Sequence, residues 1–306
     1  MLVLAALAGS AAARPPKDPG PPTGELLLDM ADPIILVRIG KVPMRLRVGL
    51  EQKRLIELNP DAAGRLAANP PDKKFQFETG FDAQVGRETL KGIVAAAPVT
   101  INRRKMLVTV ASHGRDCCIG VDGEIGIGLL PYATVRFTRH NPPPADISTE
   151  FAIEDADEYG PQSPVQIGKN RVLLQFALMR PQSVASSSAG AILARQHGGQ
   201  LGGQGTVIGS FGVSRPTSLL RFKRPIELGG FSFDALLVRT ADFAGKYNFP
   251  TEAADPDDIV VRKKVRQQDA WPVVQIGADR LDRCAEAVYD MVAMKLTLRC
   301  ARDEAP

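Results

Sequence analysis

The segment Val37–Lys41 reads VRIGK, and the segment Val165–Lys169 reads VQIGK. Each is followed by a short strand-like stretch, Met44–Val48 after the first and Val172–Phe176 after the second. Each set closes with a hydrophobic residue followed by glycine, and these closing positions are Ile125, Gly126, Ile276 and Gly277. Motifs that recur in the same internal order predict a duplicated architecture.

Short segments with period-two alternation predominate between these motifs, which predicts strands. The predicted strands are Val99–Ile101, Leu107–Val110, Thr134–Phe137, Leu236–Val238 and Lys295–Leu298. Helical patterns are brief and are confined to Asp61–Ala68, Ala189–Gln196 and Arg280–Ala287. The sequence therefore predicts an all-β protein with minor helix.

The composition limits the classes of partner. The chain has 306 residues, of which 44% are hydrophobic, so it can build one large core or two smaller ones. Its formal net charge is only +4, and aromatic residues make up 6%. Nucleic-acid binding calls for a basic stripe with stacking aromatic side chains. We therefore expect no nucleic-acid partner.

Residues 1–13 are typical of an export signal. Leu2–Ala8 is a short apolar core, and Ala11–Ala13 offers a cleavage site of small residues, although no Lys or Arg precedes the core. Ser10 stands where a lipoprotein would carry its lipidated cysteine. The apolar core is far shorter than the ~20 residues that span a bilayer. We expect a periplasmic or secreted mature protein with no membrane span.

Changes in composition suggest the domain boundaries. Residues 14–24 are rich in Pro and Gly and are predicted to form a flexible lead-in. A proline run and an acidic stretch then mark a join in the middle of the chain. We predict a first unit at 25–140, a linker at 141–163 and a second unit at 164–303.

The glycine-rich segment 198–212 is predicted to be a flexible, flap-like hairpin. A phosphate-binding loop would need its glycines between a strand and a helix, and would end in Gly-Lys-Ser or Gly-Lys-Thr. No Lys follows the glycines here.

The four cysteines fit an oxidising compartment. Cys284 and Cys300 flank a predicted hairpin, which suits a structural disulfide. Cys117 and Cys118 are adjacent, and a vicinal bridge, free thiols and cross-pairing all stay open. Their spacing does not match a zinc site, and only His113 lies near. We expect no metal and no cofactor.

The ordered pair of motif sets resembles the pepsin and retropepsin family of aspartic proteases over roughly residues 30 to 300. In that fold each lobe has a strand ending in Asp-Thr/Ser-Gly, a flap hairpin, and a later hydrophobic-hydrophobic-Gly segment. Glu124–Gly126 and Gln275–Gly277 are similar to that later segment. The resemblance implies two β-barrel lobes, related by duplication, that face each other across a cleft.

The catalytic motif of that family is missing from both sets. Acid proteolysis by this family needs two carboxylates that share a proton, one from each lobe. The triplet after the first strand is Gly49-Leu50-Glu51, and the triplet after the second is Ala177-Leu178-Met179. Gly49 and Ala177 thus stand where the resemblance implies aspartates.

We predict a catalytically inactive pseudo-protease whose groove binds an extended peptide or protein segment, with the two triplets at the centre of that groove. One alternative is a divergent peptidase that uses Glu51, the only acid next to either strand end. Another is a structural role in the cell envelope. A serine hydrolase lacks its Gly-x-Ser-x-Gly motif, and a cysteine hydrolase would combine Cys117 or Cys118 with His113.

Overall fold

The computed structural model describes residues 21–85, 88–156, 160–240 and 271–302. This part of the chain is mostly β, which confirms the predicted class. The predicted signal peptide at 1–13 lies outside the described residues.

The chain begins with eleven strands and one α-helix. These are β1 (Glu25–Asp29), β2 (Ile34–Ile39), β3 (Val42–Gly49), β4 (Ile56–Leu58), α1 (Pro60–Ala68), β5 (Glu78–Thr79), β6 (Ala83–Val85), β7 (Glu88–Leu90), β8 (Ile93–Ile101), β9 (Arg104–Ser112), β10 (Gly123–Gly126) and β11 (Thr134–Thr138). The remaining elements are β12 (Ile147–Ala152), β13 (Glu154–Ala156), β14 (Gly160–Ile167), β15 (Asn170–Phe176), β16 (Val184–Ala185), α2 (Ser187–His197), β17 (Gly199–Ile208), β18 (Ser214–Leu228), β19 (Phe231–Arg239), β20 (Val273–Ile276), α3 (Ala278–Leu281), β21 (Cys284–Asp290) and β22 (Lys295–Cys300).

The first large sheet has the strand order β2-β3-β10-β4-β9-β8-β5. Strand β10 is inserted between β3, to which it is parallel, and β4, to which it is antiparallel. Glycines bound this short strand because neighbouring backbone comes too close for a side chain. A Cβ at Gly126 would lie 3.0 Å from the carbonyl oxygen of Gln52, and one at Gly123 would lie 3.0 Å from the Cα of Leu58.

The second large sheet has the order β13-β14-β15-β20-β16-β19-β18-β17. Here β20 lies between β15, in parallel, and β16, in antiparallel pairing. This is the same local arrangement that β10 has in the first sheet. The glycine-rich segment forms β17, which pairs with β18 as an antiparallel hairpin, so a hairpin is confirmed there.

A third sheet combines strands from distant parts of the sequence, in the order β1-β11-β21-β22-β12. Its central strands bury Phe137, Tyr289 and Leu298, each at most 2% exposed. Strand β12 and the following β13 lie within residues 141–163, the predicted linker. Within the described residues, no helix is long and apolar enough to cross a membrane.

The helices follow local signals. α1 begins with a proline at its first position, and it buries Ala62, Ala63 and Leu66 against the sheet. The backbone N–H of Ala189 donates to the Ser186 hydroxyl at 3.2 Å, which caps the start of α2. These helices match the predicted ones at 61–68 and 189–196.

The third predicted helix, over Arg280–Ala287, is wrong for its larger part. Helix α3 ends at Leu281, and Cys284 already belongs to β21. Pairing of β21 with β22 overrides the local helical pattern, because the strand buries Cys284, Ala287 and Tyr289 in the core. The predicted disulfide between Cys284 and Cys300 is confirmed, and it joins the ends of this hairpin.

We expect the double replacement Cys284→Ser and Cys300→Ser to lower the free energy of unfolding by about 3 kcal/mol, because the bridge restricts the unfolded chain. Urea unfolding followed by circular dichroism measures this, and Ser148→Ala on the adjacent exposed strand is the control. A reductant should lower the midpoint of the wild type but not that of the double variant. Equal midpoints for the wild type and the double variant would contradict the expectation.

Candidate functional site

A row of three charged side chains crosses the centre of the first sheet. In the strand register, Glu124 on β10 lies beside Arg47 on β3 and beside Glu57 on β4. Register partners project from the same face of a sheet. On the opposite face, Ile56 and Ile125 are fully buried in the core. The sheet therefore holds two carboxylates and one guanidinium side by side on a single face.

The corresponding row in the second sheet is uncharged. Gln275 on β20 is in register with Gln175 on β15, and its Nε2 donates to the Gln175 Oε1 at 3.3 Å. Two amides can satisfy each other in a buried position without the cost of buried charge. The two similar sheet centres thus differ in electrostatics, and only the first of the two rows contains carboxyl groups.

Gly49 makes room for Glu124. Glycine leaves space at the end of β3, and a Cβ built there would overlap the Glu124 Oε1 and lie 2.9 Å from the Gln52 Cβ. The carboxylate next to the end of β3 therefore comes from Glu124 on β10, not from position 49. Ala177, at the end of β15, is fully buried, and its backbone N–H donates to the Ile276 carbonyl at 2.9 Å.

The other residues of the two triplets lie in different environments. Leu50 is buried in the main core, Leu178 packs partly against it, and Met179 is 45% exposed. Glu51 is partly buried and close enough to Arg180 for that positive charge to act on its carboxyl group. The predicted hydrophobic-Gly positions Ile125, Gly126, Ile276 and Gly277 lie on or directly after the inserted strands β10 and β20.

Glu124 and Glu51 both have raised pKa values. Desolvation raises the pKa of Glu124 to about 8, with further contributions from the negative charges of Glu51 and Glu57, while Arg47 and Arg180 oppose the rise. Desolvation also raises the pKa of Glu51 above its ordinary value, and Arg180 counteracts it. A pair of carboxyl groups with raised pKa values retains a proton at neutral pH and can both donate and accept one.

Glu57 and His113 form a buried pair beside this row. The Nδ1 of His113 lies 3.0 Å from each carboxylate oxygen of Glu57, and the His113 backbone N–H also donates to Oε1 at 3.0 Å. Glu57 is 1% exposed and His113 is 6% exposed. The imidazole ring packs between Phe81 and Phe211, with ring centroids 5.7 Å and 4.9 Å away. The carboxylate orients the ring in a largely apolar surrounding.

Cys117 and Cys118 lie next to the same row. Their sulfur atoms are 2.6 Å apart, and the Cys117 thiol donates to the Asn59 Oδ1 at 3.3 Å. Among the described residues, the hydrogen bonds of this thiol involve Asn59, the Glu57 carbonyl and the Cys118 sulfur rather than His113. The Cys–His pairing of a cysteine hydrolase is therefore not formed here.

Two hairpins meet beside the site. The β6–β7 hairpin contributes Val85 and Leu90, and the turn of the β17–β18 hairpin contributes Phe211 and Val213, to one small hydrophobic cluster. A cavity of about 800 Å³ opens next to this cluster. It is lined by both hairpins, with Val85, Glu88, Gln204, Ser214, Pro216 and Ser218 among its walls.

From the sequence, Glu124 is recognised only as part of a hydrophobic-Gly motif, and Glu57 is not predicted to be a site residue. A usable signal exists for both. Glu57 interrupts the apolar pair Ile56 and Leu58, and Glu124 stands between Gly123 and Ile125 in a buried strand. An acidic side chain inside a short buried strand requires a charged or hydrogen-bonding partner, and finding that partner locates the candidate functional site.

Comparison with known proteins does not assign this chain to a family. No family model and no curated protein sequence matches this chain. Among solved structures, the chain is similar to the EIAV protease complexed with the inhibitor HBY-793. The two share 14% sequence identity with a TM-score of 0.25, and the match covers 31% of this chain and 81% of that protease. A likeness of this size carries no argument about function.

The raised pKa of Glu124 predicts how stability depends on pH. Between its ordinary value of 4.5 and about 8, the folded state retains a proton that the unfolded state releases. The free energy of unfolding should therefore fall as the pH rises through this range, by at most about 1.4 kcal/mol per pH unit for one proton.

Urea unfolding at a series of pH values measures this slope. Glu124→Gln should flatten it and should raise stability near pH 8, because the neutral amide needs no proton. Glu150→Gln, at an exposed glutamate, is the control. A slope that is unchanged in Glu124→Gln would show that Glu124 titrates normally in the folded protein.

Proposed function

We propose that this chain is an exported protein of the pepsin and retropepsin type that has lost the catalytic aspartates and binds an extended peptide. Its two large sheets are the cores of two duplicated lobes, and the bound peptide lies between them. The single observation that carries the proposal is the position of β17 at the edge of the described part of the second sheet, beside the 800 Å³ cavity.

The arrangement of the two sheets supports the duplication. In each, a short strand that ends in a hydrophobic-Gly step is inserted between a parallel and an antiparallel neighbour. In each, the parallel neighbour is the strand whose end carries the degenerate triplet. The action of Arg180 on Glu51, and the close approach of Gly160 to the Gln52 carbonyl, support the placing of the two lobes against each other.

The environment of the two triplets supports the loss of aspartic catalysis. An aspartate at position 49 would collide with Glu124, and an aspartate at position 177 would replace a fully buried alanine. These two environments argue against a proton-sharing pair with one member from each lobe.

The edge of β17 supports binding of an extended peptide. Among the described residues, β17 pairs as a strand with β18 alone, so it stands at the edge of the described part of the second sheet. Residues Gly202–Thr206 are mostly exposed and rich in glycine, so little side-chain bulk shields this edge. An extended peptide can add there as a further strand, with its side chains directed into the cavity.

We expect a peptide-library pull-down with the mature protein to return extended peptides without cleaving them. Ser214→Trp, which fills the cavity from its exposed wall, should weaken binding of a recovered peptide by at least about tenfold, because tenfold corresponds to only about 1.4 kcal/mol. Ser148→Trp on the exposed face of β12 is the matched control. Fluorescence anisotropy measures the affinity.

Two outcomes would overturn this proposal. One is pepstatin-sensitive cleavage of casein or peptides between pH 3 and 5, which would show aspartic catalysis. The other is an intact fold that returns no extended peptide from the library.

A second candidate function rests on the pair of carboxyl groups. Burial raises the pKa of both Glu51 and Glu124, and the charge of Glu51 raises that of Glu124 further, which favours one acid and one base at the same site. The chain would then be a divergent peptidase whose two acids both come from the first half.

For this candidate we expect Glu51→Gln and Glu124→Gln each to abolish any peptidase activity, while Glu150→Gln leaves it intact. Cleavage of a quenched fluorescent peptide library between pH 3 and 8 is the assay. Activity that survives either replacement would dismiss the pair, because a single carboxyl group cannot serve as both acid and base in one step.

A further inference from the structure

Three potential metal ligands converge at the end of the charged row. The sulfur atoms of Cys117 and Cys118 and a carboxylate oxygen of Glu124 all lie within 4.8 Å of one another. Two of these side chains are adjacent in sequence, and the third comes from β10. The cluster is partly buried, with Cys118 only 8% exposed.

The loop that carries the two thiols is held by one buried side chain. The Nδ2 of Asn59 donates to the carbonyl oxygens of Cys118, at 2.7 Å, and Val121, at 2.9 Å. The Oδ1 of Asn59 accepts from the backbone N–H of Cys117 at 2.9 Å. Three hydrogen bonds from a residue at the start of α1 therefore fix the loop before any ligand arrives. Positioning of this kind is what metal sites require of the residues around their ligands.

The position of the Glu124 carboxylate is fixed as well as that of the cysteine loop. It stands on a strand with paired neighbours on both sides, and Gly49 leaves the space that its Oε1 occupies. A side chain at position 49 would push the carboxylate out of the cluster. The glycine at the degenerate strand end thus has a positive role, which is to admit this carboxylate.

The ligands themselves supply the charge that a cation needs. Metal ligands bind in their deprotonated forms, so two thiolates and the Glu124 carboxylate would offer three negative charges to a divalent cation. Further carboxyl groups, those of Glu51 and Glu57, lie near Glu124, as do the guanidinium groups of Arg47 and Arg180.

We propose that Cys117, Cys118 and Glu124 form a binding site for a thiophilic divalent cation of the Zn²⁺ and Cd²⁺ class. Two thiolates select such ions over Mg²⁺ and Ca²⁺, which prefer oxygen ligands alone. Three protein ligands leave a fourth tetrahedral position for water or a ligand atom. Binding releases the two thiol protons and the Glu124 proton to solvent, and no atom changes its oxidation state.

Binding also spreads the two sulfur atoms. They are 2.6 Å apart, whereas two thiolates on one tetrahedral zinc ion are about 3.8 Å apart for Zn–S bonds of about 2.3 Å. The competing chemistry is a vicinal disulfide, which would remove both thiols. The sequence alone predicts no metal site because it shows only the two cysteines and His113 close together. The third ligand, Glu124, comes near the cysteines only in the folded chain.

Cd²⁺ titration of the purified full chain, isolated without reductant, tests the proposal. Thiol counting in denaturant should find two free thiols in addition to the Cys284–Cys300 bridge. Addition of Cd²⁺ should produce the ultraviolet charge-transfer absorption of cadmium–thiolate bonds, saturating at one ion per chain. Glu124→Gln should weaken Cd²⁺ binding by at least about tenfold, and Cys117→Ser should abolish the absorption.

Glu150→Gln is the matched control and should bind Cd²⁺ like the wild type. Circular dichroism confirms that each variant is folded, and Glu124→Gln remains a test if Cys117→Ser does not fold. The absence of free thiols, the absence of charge-transfer absorption, or equal affinity in Glu124→Gln would each overturn the proposal. The readout is independent of peptide binding, so the two proposals succeed or fail separately.

Discussion

The insertion of β10 between β3 and β4 is the constraint on which the rest of the first half depends. One strand with a parallel and an antiparallel neighbour has its register set from both sides, and this register aligns Arg47, Glu124 and Glu57 on one face. Glycines at both ends of β10 are needed because the neighbouring backbone allows no side chain there. The same insertion brings Glu124 to the space left by Gly49 and to the thiols of Cys117 and Cys118.

A comparison of the two sheet centres shows how one arrangement can have two electrostatic solutions. In the second sheet, Gln175 and Gln275 satisfy each other by a hydrogen bond and carry no charge. In the first, Glu57 lies within hydrogen-bond distance of His113, while burial and the charges of Glu51 and Glu57 raise the pKa of Glu124. Buried like charges are destabilising unless a proton or a cation compensates them. Of the two sheet centres, only the first therefore has buried carboxyl groups that need such compensation.

Much of the fold could be predicted, because its signals are local. Period-two alternation located the strands that became β8, β9, β11, β19 and β22. The helical patterns at Asp61–Ala68 and Ala189–Gln196 located α1 and α2, and the positions of Cys284 and Cys300 around a hairpin indicated their disulfide. The failure at Arg280–Ala287 has the opposite origin. That segment has a helical pattern, but its residues gain more by pairing with β22 and burying Cys284 and Ala287 than by continuing α3.

The candidate site divides in the same way. The sequence by itself determined that neither strand end carries an aspartate, that Glu51 is the acid nearest to one of them, and that two adjacent cysteines need a chemical role. Only the tertiary structure decided that Glu124 takes the space at Gly49, that Glu57 pairs with His113, and that the thiols share a cluster with Glu124. The physical reason is that register across neighbouring strands joins residues far apart in the chain, and no local periodicity records which strands become neighbours.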